Sequence, residues 1–215
     1  MRMVLLGPPG AGKGTQAAAI KKRFGLAHIS TGDILRENVK SCTRLGLAAK
    51  RYMDAGRLVP DDTIINMMRE RLREDDAGSG FILDGYPRTV AQAEELGVLL
   101  KEMGLCLDTV VLLEISDDDV VGRLGGRRVC SNCGAIYHVA GHPAEKEGIC
   151  DSCGGSVIQR GDDMESVIRE RLAVYHAETS QLVEYYEKRR LLRRVDAAGP
   201  TDAVLTSIES PKVIM

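Results

Sequence analysis

A short apolar run, Arg2-Met3-Val4-Leu5-Leu6, passes directly into Gly7-Pro8-Pro9-Gly10-Ala11-Gly12-Lys13-Gly14-Thr15. A helical pattern starts near Lys13 and carries through Gln16, Ala17 and Ile20. Strand, glycine loop and helix in that order are the context of a phosphate-binding loop. The glycines let the backbone curl so that several N–H groups face one anion. The new helix adds the positive end of its dipole, and Lys13 supplies a mobile full charge for the outer phosphates. The general pattern is G-x-x-x-x-G-K-[ST]. Here Gly14 follows Lys13, and the hydroxyl comes one place later, at Thr15. A loop of this kind implies a bound nucleotide and leaves the reaction open.

The rest of the chain alternates strands with helices. The first helix ends near Phe24-Gly25, and Ala27-His28-Ile29-Ser30 reads as a second strand. Thr31 opens a helical stretch with Ile34, Leu35 and Val39, and another runs from about Leu45 to Met53 and ends at Gly56. Pro60-Asp61-Asp62-Thr63 starts a helix carrying Ile64, Met67, Met68 and Leu72. Gly80 to Gly85 is an apolar run ending in an acid, Asp84, and Thr89 opens the next helix. Thr109 to Glu114 is a buried-type strand, followed by a capping box at Ser116 to Asp119. Ile168, Leu172, Tyr175, Thr179, Leu182 and Tyr186 predict one long amphipathic helix from Ser166 to Arg190. Arg193 to Asp196 is a last strand, and Val204, Leu205 and Ile208 mark a final helix. The tail from Ser210 to Met215 carries no motif.

Fully apolar strands between helices predict an α/β fold around a central parallel sheet flanked by helices. Ligands in such sheets bind beyond the carboxyl ends of the strands, where Gly7, Ser30, Thr31, Asp84, Gly85 and Ser116 fall. A length of 215 residues suits one large domain with inserts. The net charge of −2, from 29 basic and 31 acidic residues, excludes a whole-chain basic field for nucleic acid. No apolar stretch approaches the ~20 residues of a membrane span, and the chain enters its first strand without a signal-like segment. The expectation is a cytoplasmic protein with no membrane partner.

Four of the six cysteines form two C-x-x-C pairs, Cys130 with Cys133 and Cys150 with Cys153, separated by sixteen residues; Cys42 and Cys106 stand alone. This spacing falls inside that of a tetrahedral zinc site. Each pair places two thiolates on a tight turn, with Gly134 and Gly154 immediately after. Four soft ligands close the coordination shell, so the metal would be structural, zinc first and iron second. His138 and His142 are read as non-ligands. A zinc ribbon alone does not fix function, because such modules also bind nucleic acid or protein.

Arginines recur beside the expected crevice: Arg36, Arg88, Arg123, Arg127, Arg160 and Arg171. Guanidinium forks pair well with phosphate oxygens. With these in place the sequence resembles adenylate kinase in its long bacterial form, with a metal-bearing lid. The resemblance runs end to end. It covers GPPGAGKGT (7–15), STGDILR (30–36), ILDGYPRT (82–89) with Gln92, GRLGGRRVC (122–130), both cysteine pairs and QRGDDMESVIRERL (159–172). The Gly14-Thr15 departure is itself the form seen in this family.

The resemblance implies the P-loop nucleoside monophosphate kinase fold in three parts. The core is 1–30, 60–121 and 161–215, an insert at 31–59 holds the monophosphate, and a lid at 122–160 carries the metal. By matching position it implies that Gly10, Ala11, Gly12, Lys13, Gly14, Thr15, Arg123, Arg127 and Gly199 contact ATP. Thr31, Arg36, Arg57, Val59, Gly85, Arg88 and Gln92 contact AMP, with Arg160 and Arg171 between the phosphate chains. Lys13, Arg88, Arg123, Arg160 and Arg171 then serve the transfer, Asp84 partners Mg²⁺ through water, and the structural lid metal is Zn²⁺. Asp162 and Asp163 hold lid arginines. Gln92 carries two readings, the end of a Thr89-x-x-Gln92 capping box and a contact to the adenine edge. The implied reaction is MgATP + AMP ⇌ MgADP + ADP in a monomer, with small-molecule nucleotides as partners and no nucleic acid. A kinase for UMP, CMP or GMP on the same scaffold is the nearest alternative, and a zinc-ribbon nucleic-acid module the more distant one.

Overall fold

The structure is a computed structural model and describes residues 1–210; the last five residues of the expected core range lie outside the described residues. In chain order the elements are β1 (Arg2–Leu6), α1 (Lys13–Phe24), β2 (Ala27–Ser30), α2 (Thr31–Lys40), α3 (Arg44–Asp54), α4 (Asp61–Arg71), the short α5 (Asp75–Gly78), β3 (Phe81–Asp84) and α6 (Val90–Glu102). There follow β4 (Thr109–Glu114), α7 (Asp117–Gly125), β5 (Arg127–Cys130), β6 (Ile136–His138), β7 (Val157–Ile158), α8 (Glu165–Val174), α9 (Gln181–Lys188), β8 (Leu192–Asp196) and α10 (Thr201–Glu209).

Five strands form one parallel sheet in the order β2-β3-β1-β4-β8. β1 sits at its centre, so the chain leaves it once toward β2 and β3 and later toward β4 and β8. That reversal opens a crevice at the carboxyl ends of β1 and β3. The register places Leu5 beside Asp84, and Ser30 on the other side of Asp84. Strand alternation divides the core into two layers. Val4, Leu6, Leu83 and Leu112 pack with Met68, Leu96, Leu182 and Tyr186 of α4, α6 and α9. Met3, Leu5, Ile82 and Leu113 pack with Ala17 and Ile20 of α1 and Val204 and Ile208 of α10. With helices on both faces, the strands read as continuous apolar runs.

The helix starts follow the local sequence. Ser30, Thr43, Thr89 and Ser116 accept a backbone N–H from Asp33, Gly46, Gln92 and Asp119, respectively. α1 is the exception that matters: its first turn has no side-chain cap and no acidic residue. Gly10 sits at φ 79° in the loop before it, and an ideal Cβ there would meet Leu124 Cγ at 2.9 Å, so this turn demands glycine.

The expected single helix from Ser166 to Arg190 is interrupted. Its apolar face is as expected, but Tyr175–Thr179 forms a π-helical turn between α8 and α9. Ser180 Oγ donates to the His176 carbonyl, 2.6 Å away, which an α-turn would leave to the Ser180 N–H. The N–H reaches back to Tyr175 O instead, at 2.9 Å.

Residues between α7 and α8 form a separate antiparallel sheet, β6-β5-β7. Its buried residues are few, Cys130, Tyr137 and Cys150 in one cluster with Val129 beside Cys130 in β5, too little for an ordinary core. Among the described residues, no helix is long and apolar enough to cross a membrane.

Candidate active site

A cleft of about 1010 Å³ opens over the carboxyl ends of β1 and β3, ample for a nucleotide. Gly10, Ala11, Gly12, Lys13, Gly14 and Thr15 line one wall. Asp84, Gly85 and Arg88 line the next, and Arg123, Arg127, Arg160, Arg171 and Gly199 complete it. A smaller pocket adjoins it, lined by Thr31, Arg57, Val59 and Gln92. Arg36, Gly85, Arg88 and Arg171 border both. Every nucleotide-contacting position inferred from the sequence therefore borders one of two connected spaces.

The charges are crowded. Burial first, then the neighbouring Arg171, pushes Arg88 down to about 10, against the pull of Asp84. Burial also lowers Arg160 to about 10, with Arg36 and Arg127 adding repulsion. Lys13 falls to about 8, chiefly through burial, with Asp84 opposing and Arg88 and Arg171 adding to the depression. Each shift says that the positive charge is underpaid locally, and a polyanion would correct that. Lys13 Nζ donates to the carbonyls of Gly7 and Pro8 at 2.7 and 2.8 Å. Thr31 Oγ1 and Arg88 Nε both donate to Gly85 O, at 2.8 and 2.9 Å, just before the cis Tyr86–Pro87 peptide. Arg36 pairs with Asp33 at 2.5 Å.

Two aspartates that follow the cysteine sheet restrain arginines at its start and beyond it. Arg127 grips the fully buried Asp163 through Nε and Nη2, at 2.8 and 2.5 Å. Arg171 bonds Asp162 through its carbonyl and its carboxylate, at 2.9 and 3.1 Å. Arg123 behaves differently from its neighbours. Its guanidinium donates to the carbonyls of Ala197 and Ala198, at 2.9 and 3.0 Å, next to Gly199. Arg57 is largely exposed, with Nε 3.9 Å from Glu170.

Asp84 Oδ2 lies 3.4 Å from Nε2 of His28, a residue that sequence reasoning did not single out. Ile136, Tyr137 and His138 of β6 also line the cleft; no motif marks them. Gln92 is almost fully buried. Its Nε2 donates to Asp61 Oδ1 at 2.7 Å and its Oε1 accepts the Arg88 N–H at 2.8 Å, while Thr89 Oγ1 caps the Gln92 N–H. The cap half of the expected box is present, but the Gln92 side chain serves Arg88 and Asp61, not the Thr89 backbone.

The sulfurs of Cys130, Cys133, Cys150 and Cys153 all lie within 4.8 Å of one another. The Cys130–Cys153 and Cys133–Cys150 separations are 3.5 and 3.6 Å. A zinc tetrahedron with Zn–S of about 2.3 Å has edges of about 3.8 Å, so this donor set fits that metal. The Tyr137 hydroxyl, 3.3 Å from Cys150 Sγ, is the first of the contacts that hold the Cys150 thiol down to about 6. His138 turns its Nδ1 to the N–H groups of Ala140 and Gly141 and stands outside the cluster.

Comparison with known proteins agrees with this geometry. The family model described as adenylate kinase matches residues 5–191. The adenylate kinase of Caldicellulosiruptor saccharolyticus is 51% identical over 214 residues, covering 100% of this chain and 99% of that protein. That of Carboxydothermus hydrogenoformans is 50% identical over 210 residues, 98% of each. That of Geobacter sp. strain M21 is 52% identical over 204 residues, 95% of each. With a phosphate loop, a ring of partly buried arginines and a four-thiol cluster on one scaffold, this chain belongs to the adenylate kinase family.

Proposed function

We infer that this chain transfers the terminal phosphoryl group of MgATP to AMP and back, MgATP + AMP ⇌ MgADP + ADP. The observation that carries the reading is the pair of connected spaces with Arg36, Arg88 and Arg171 at their junction. Two polyanions brought end to end repel each other, and the enzyme's task is to offset that repulsion while holding the reacting oxygens in line. The acceptor is already an anionic phosphate oxygen at neutral pH, so no general base is required.

In this reading Gly10 to Thr15 cradle the ATP phosphates with backbone N–H groups, and Lys13 leaves the Gly7 and Pro8 carbonyls for them. Arg88 and Arg36 hold the AMP phosphate, and Arg160, Arg171 and Arg127 meet the charge that spreads over the transferring group. Arg123 and Gly199 sit together toward the ATP base. Thr31, Val59, Arg57 and Gln92 take the AMP nucleoside. The stretch 31–59, formed by α2 and α3, is the monophosphate insert, and 122–160 is a lid that excludes water when it closes. The chain acts as a cytoplasmic monomer.

Asp84 would hold magnesium through its water shell; when bound, the ion offsets charge on the ATP phosphates. Cys130, Cys133, Cys150 and Cys153 hold zinc as a substitute core for the lid. The test is a coupled ADP-release assay with MgATP and each of AMP, GMP, CMP and UMP. AMP as the preferred acceptor is the expected result. Preference for another monophosphate sinks the assignments of Thr31 and Gln92, and no transfer by folded, zinc-loaded protein sinks the reaction.

A further inference from the structure

Gln92 lines the smaller pocket together with Thr31, Leu35, Val59 and Ile64. A carboxamide is nearly symmetric in shape but opposite in chemistry at its two ends, so its orientation is set by its neighbours. Here both ends are set. The Arg88 backbone N–H can only donate, and it faces Oε1 at 2.8 Å. The Asp61 carboxylate can only accept, and it faces Nε2 at 2.7 Å. The second oxygen of Asp61 accepts from Thr89 Oγ1 at 2.8 Å, which holds the carboxylate against the start of α6. Asp61 itself opens α4 directly after Pro60. Turning the amide over would set Oε1 against a carboxylate and an NH₂ against an N–H, two like-sign contacts in a buried place.

We propose that Asp61, acting with the Arg88 backbone amide, locks the Gln92 carboxamide in one of its two orientations and thereby makes the acceptor pocket select 6-aminopurine over 6-oxopurine monophosphates. The proposal rests on the reading that Gln92 faces the acceptor base. After its two fixed bonds, Gln92 keeps one N–H and one Oε1 lone pair. That pair matches the N1 acceptor and the 6-amino donor of adenine. Hypoxanthine and guanine present an N1–H donor and a 6-oxo acceptor, which need the amide turned over. Asp61 is thus a positioning residue that acts through Gln92.

The experiment compares kcat/KM for AMP and for IMP in the wild type, Asp61→Ala, Asp61→Asn and Gln92→Leu, with zinc-loaded protein. Asp61→Leu, close to aspartate in shape but without an acceptor, supplies the same reading if Asp61→Ala does not fold. Loss of the acceptor at position 61 should lower the AMP/IMP preference by about tenfold, the scale of one mis-set buried hydrogen bond. KM for AMP should rise while KM for ATP holds. Asp61→Asn keeps an oxygen for Nε2 and should stay near the wild-type ratio. A merely structural role for the charge at the start of α4 predicts instead that Asp61→Asn and Asp61→Ala behave alike and leave the ratio alone, which overturns the proposal. An unchanged ratio in Asp61→Ala with a collapsed ratio in Gln92→Leu also overturns it, and spares the Gln92 contact. An unchanged ratio in Gln92→Leu removes the contact and the proposal together.

Discussion

An ideal Cβ on Gly14 would lie 3.3 Å from Oδ2 of Asp84. This close approach accounts for the glycine where the general phosphate loop has serine or threonine. The Asp84 carboxylate, at the end of β3, occupies the space that a side chain at position 14 would need. Gly14 has no positive φ, so a larger residue there strains no backbone. Gly14→Ser restores the general pattern, and at the second residue of α1 it should change stability by no more than about 1 kcal/mol. The displaced Asp84 should nonetheless lower kcat by about tenfold or more, as small misplacements do at a reacting centre. Thermal melting and steady-state rates across magnesium concentrations check this. Unchanged turnover at every magnesium concentration would remove Asp84 from the metal's neighbourhood.

Lys13 predicts a proton linkage. In the free protein it titrates at about 8, held below 10.5 first by burial. Phosphate oxygens beside the ammonium raise its pKa again. Below about pH 7 the lysine is charged with or without nucleotide, and binding moves no proton. Near pH 8.5 the free lysine is mostly neutral and the bound one charged, so ATP binding should take up about three-quarters of a proton. Calorimetric titrations in two buffers of different ionisation enthalpy measure this directly. Lys13→Met should abolish the uptake, and a zero value in the wild type near pH 8.5 would contradict the burial argument.

Much of this site was legible because its parts sit at strand ends that announce themselves. Leu6-Gly7, Ser30-Thr31 and Asp84-Gly85 each close an apolar run with a polar or glycine residue, and the structure sets Ser30 and Asp84 side by side. The two C-x-x-C pairs were legible for a different reason: their spacing states a geometry without help from the fold. What was not legible depends on contacts far apart in sequence. Asp61 and Gln92 are 31 residues apart, and nothing local distinguishes Asp61 from an ordinary acid opening a helix. His28 gains meaning only when β2 and β3 pair. The π turn at Tyr175–Thr179 hangs on one serine hydroxyl that the apolar spacing does not register, because the buried face is the same with or without it.

The four-thiol cluster predicts a separation of stability from chemistry. The cluster at the centre of its sheet holds just Cys130, Tyr137 and Cys150 as buried residues, so a metal at that site would supply most of its cohesion. Cys130→Ser should therefore lower thermal stability well before it lowers turnover at low temperature. At this chain length each 1 kcal/mol lost is worth roughly 2–4 °C of Tm. Melting curves, zinc content and rates at two temperatures test it. Equal proportional losses of Tm and low-temperature turnover would count against a purely structural metal.

The Arg127–Asp163 pair predicts a strong coupling. Asp163 is fully buried and takes both arms of the Arg127 guanidinium, and Arg171 Nη1 also lies 3.7 Å away. Removing the carboxylate leaves two crowded cations without their shared anion. Truncating one partner of a buried pair typically costs about 3–5 kcal/mol, because the other charge is stranded. Asp163→Ala should fall in that range, while Arg127→Ala combined with Asp163→Ala should recover part of the loss. A double-mutant cycle on thermal or denaturant unfolding should give a coupling of about 1 kcal/mol or more. ATP should rescue Asp163→Ala more than it stabilises the wild type, since its phosphates supply the missing negative charge beside Arg127 and Arg171. Equal stabilisation of both proteins by ATP would mean that these arginines do not face the phosphates.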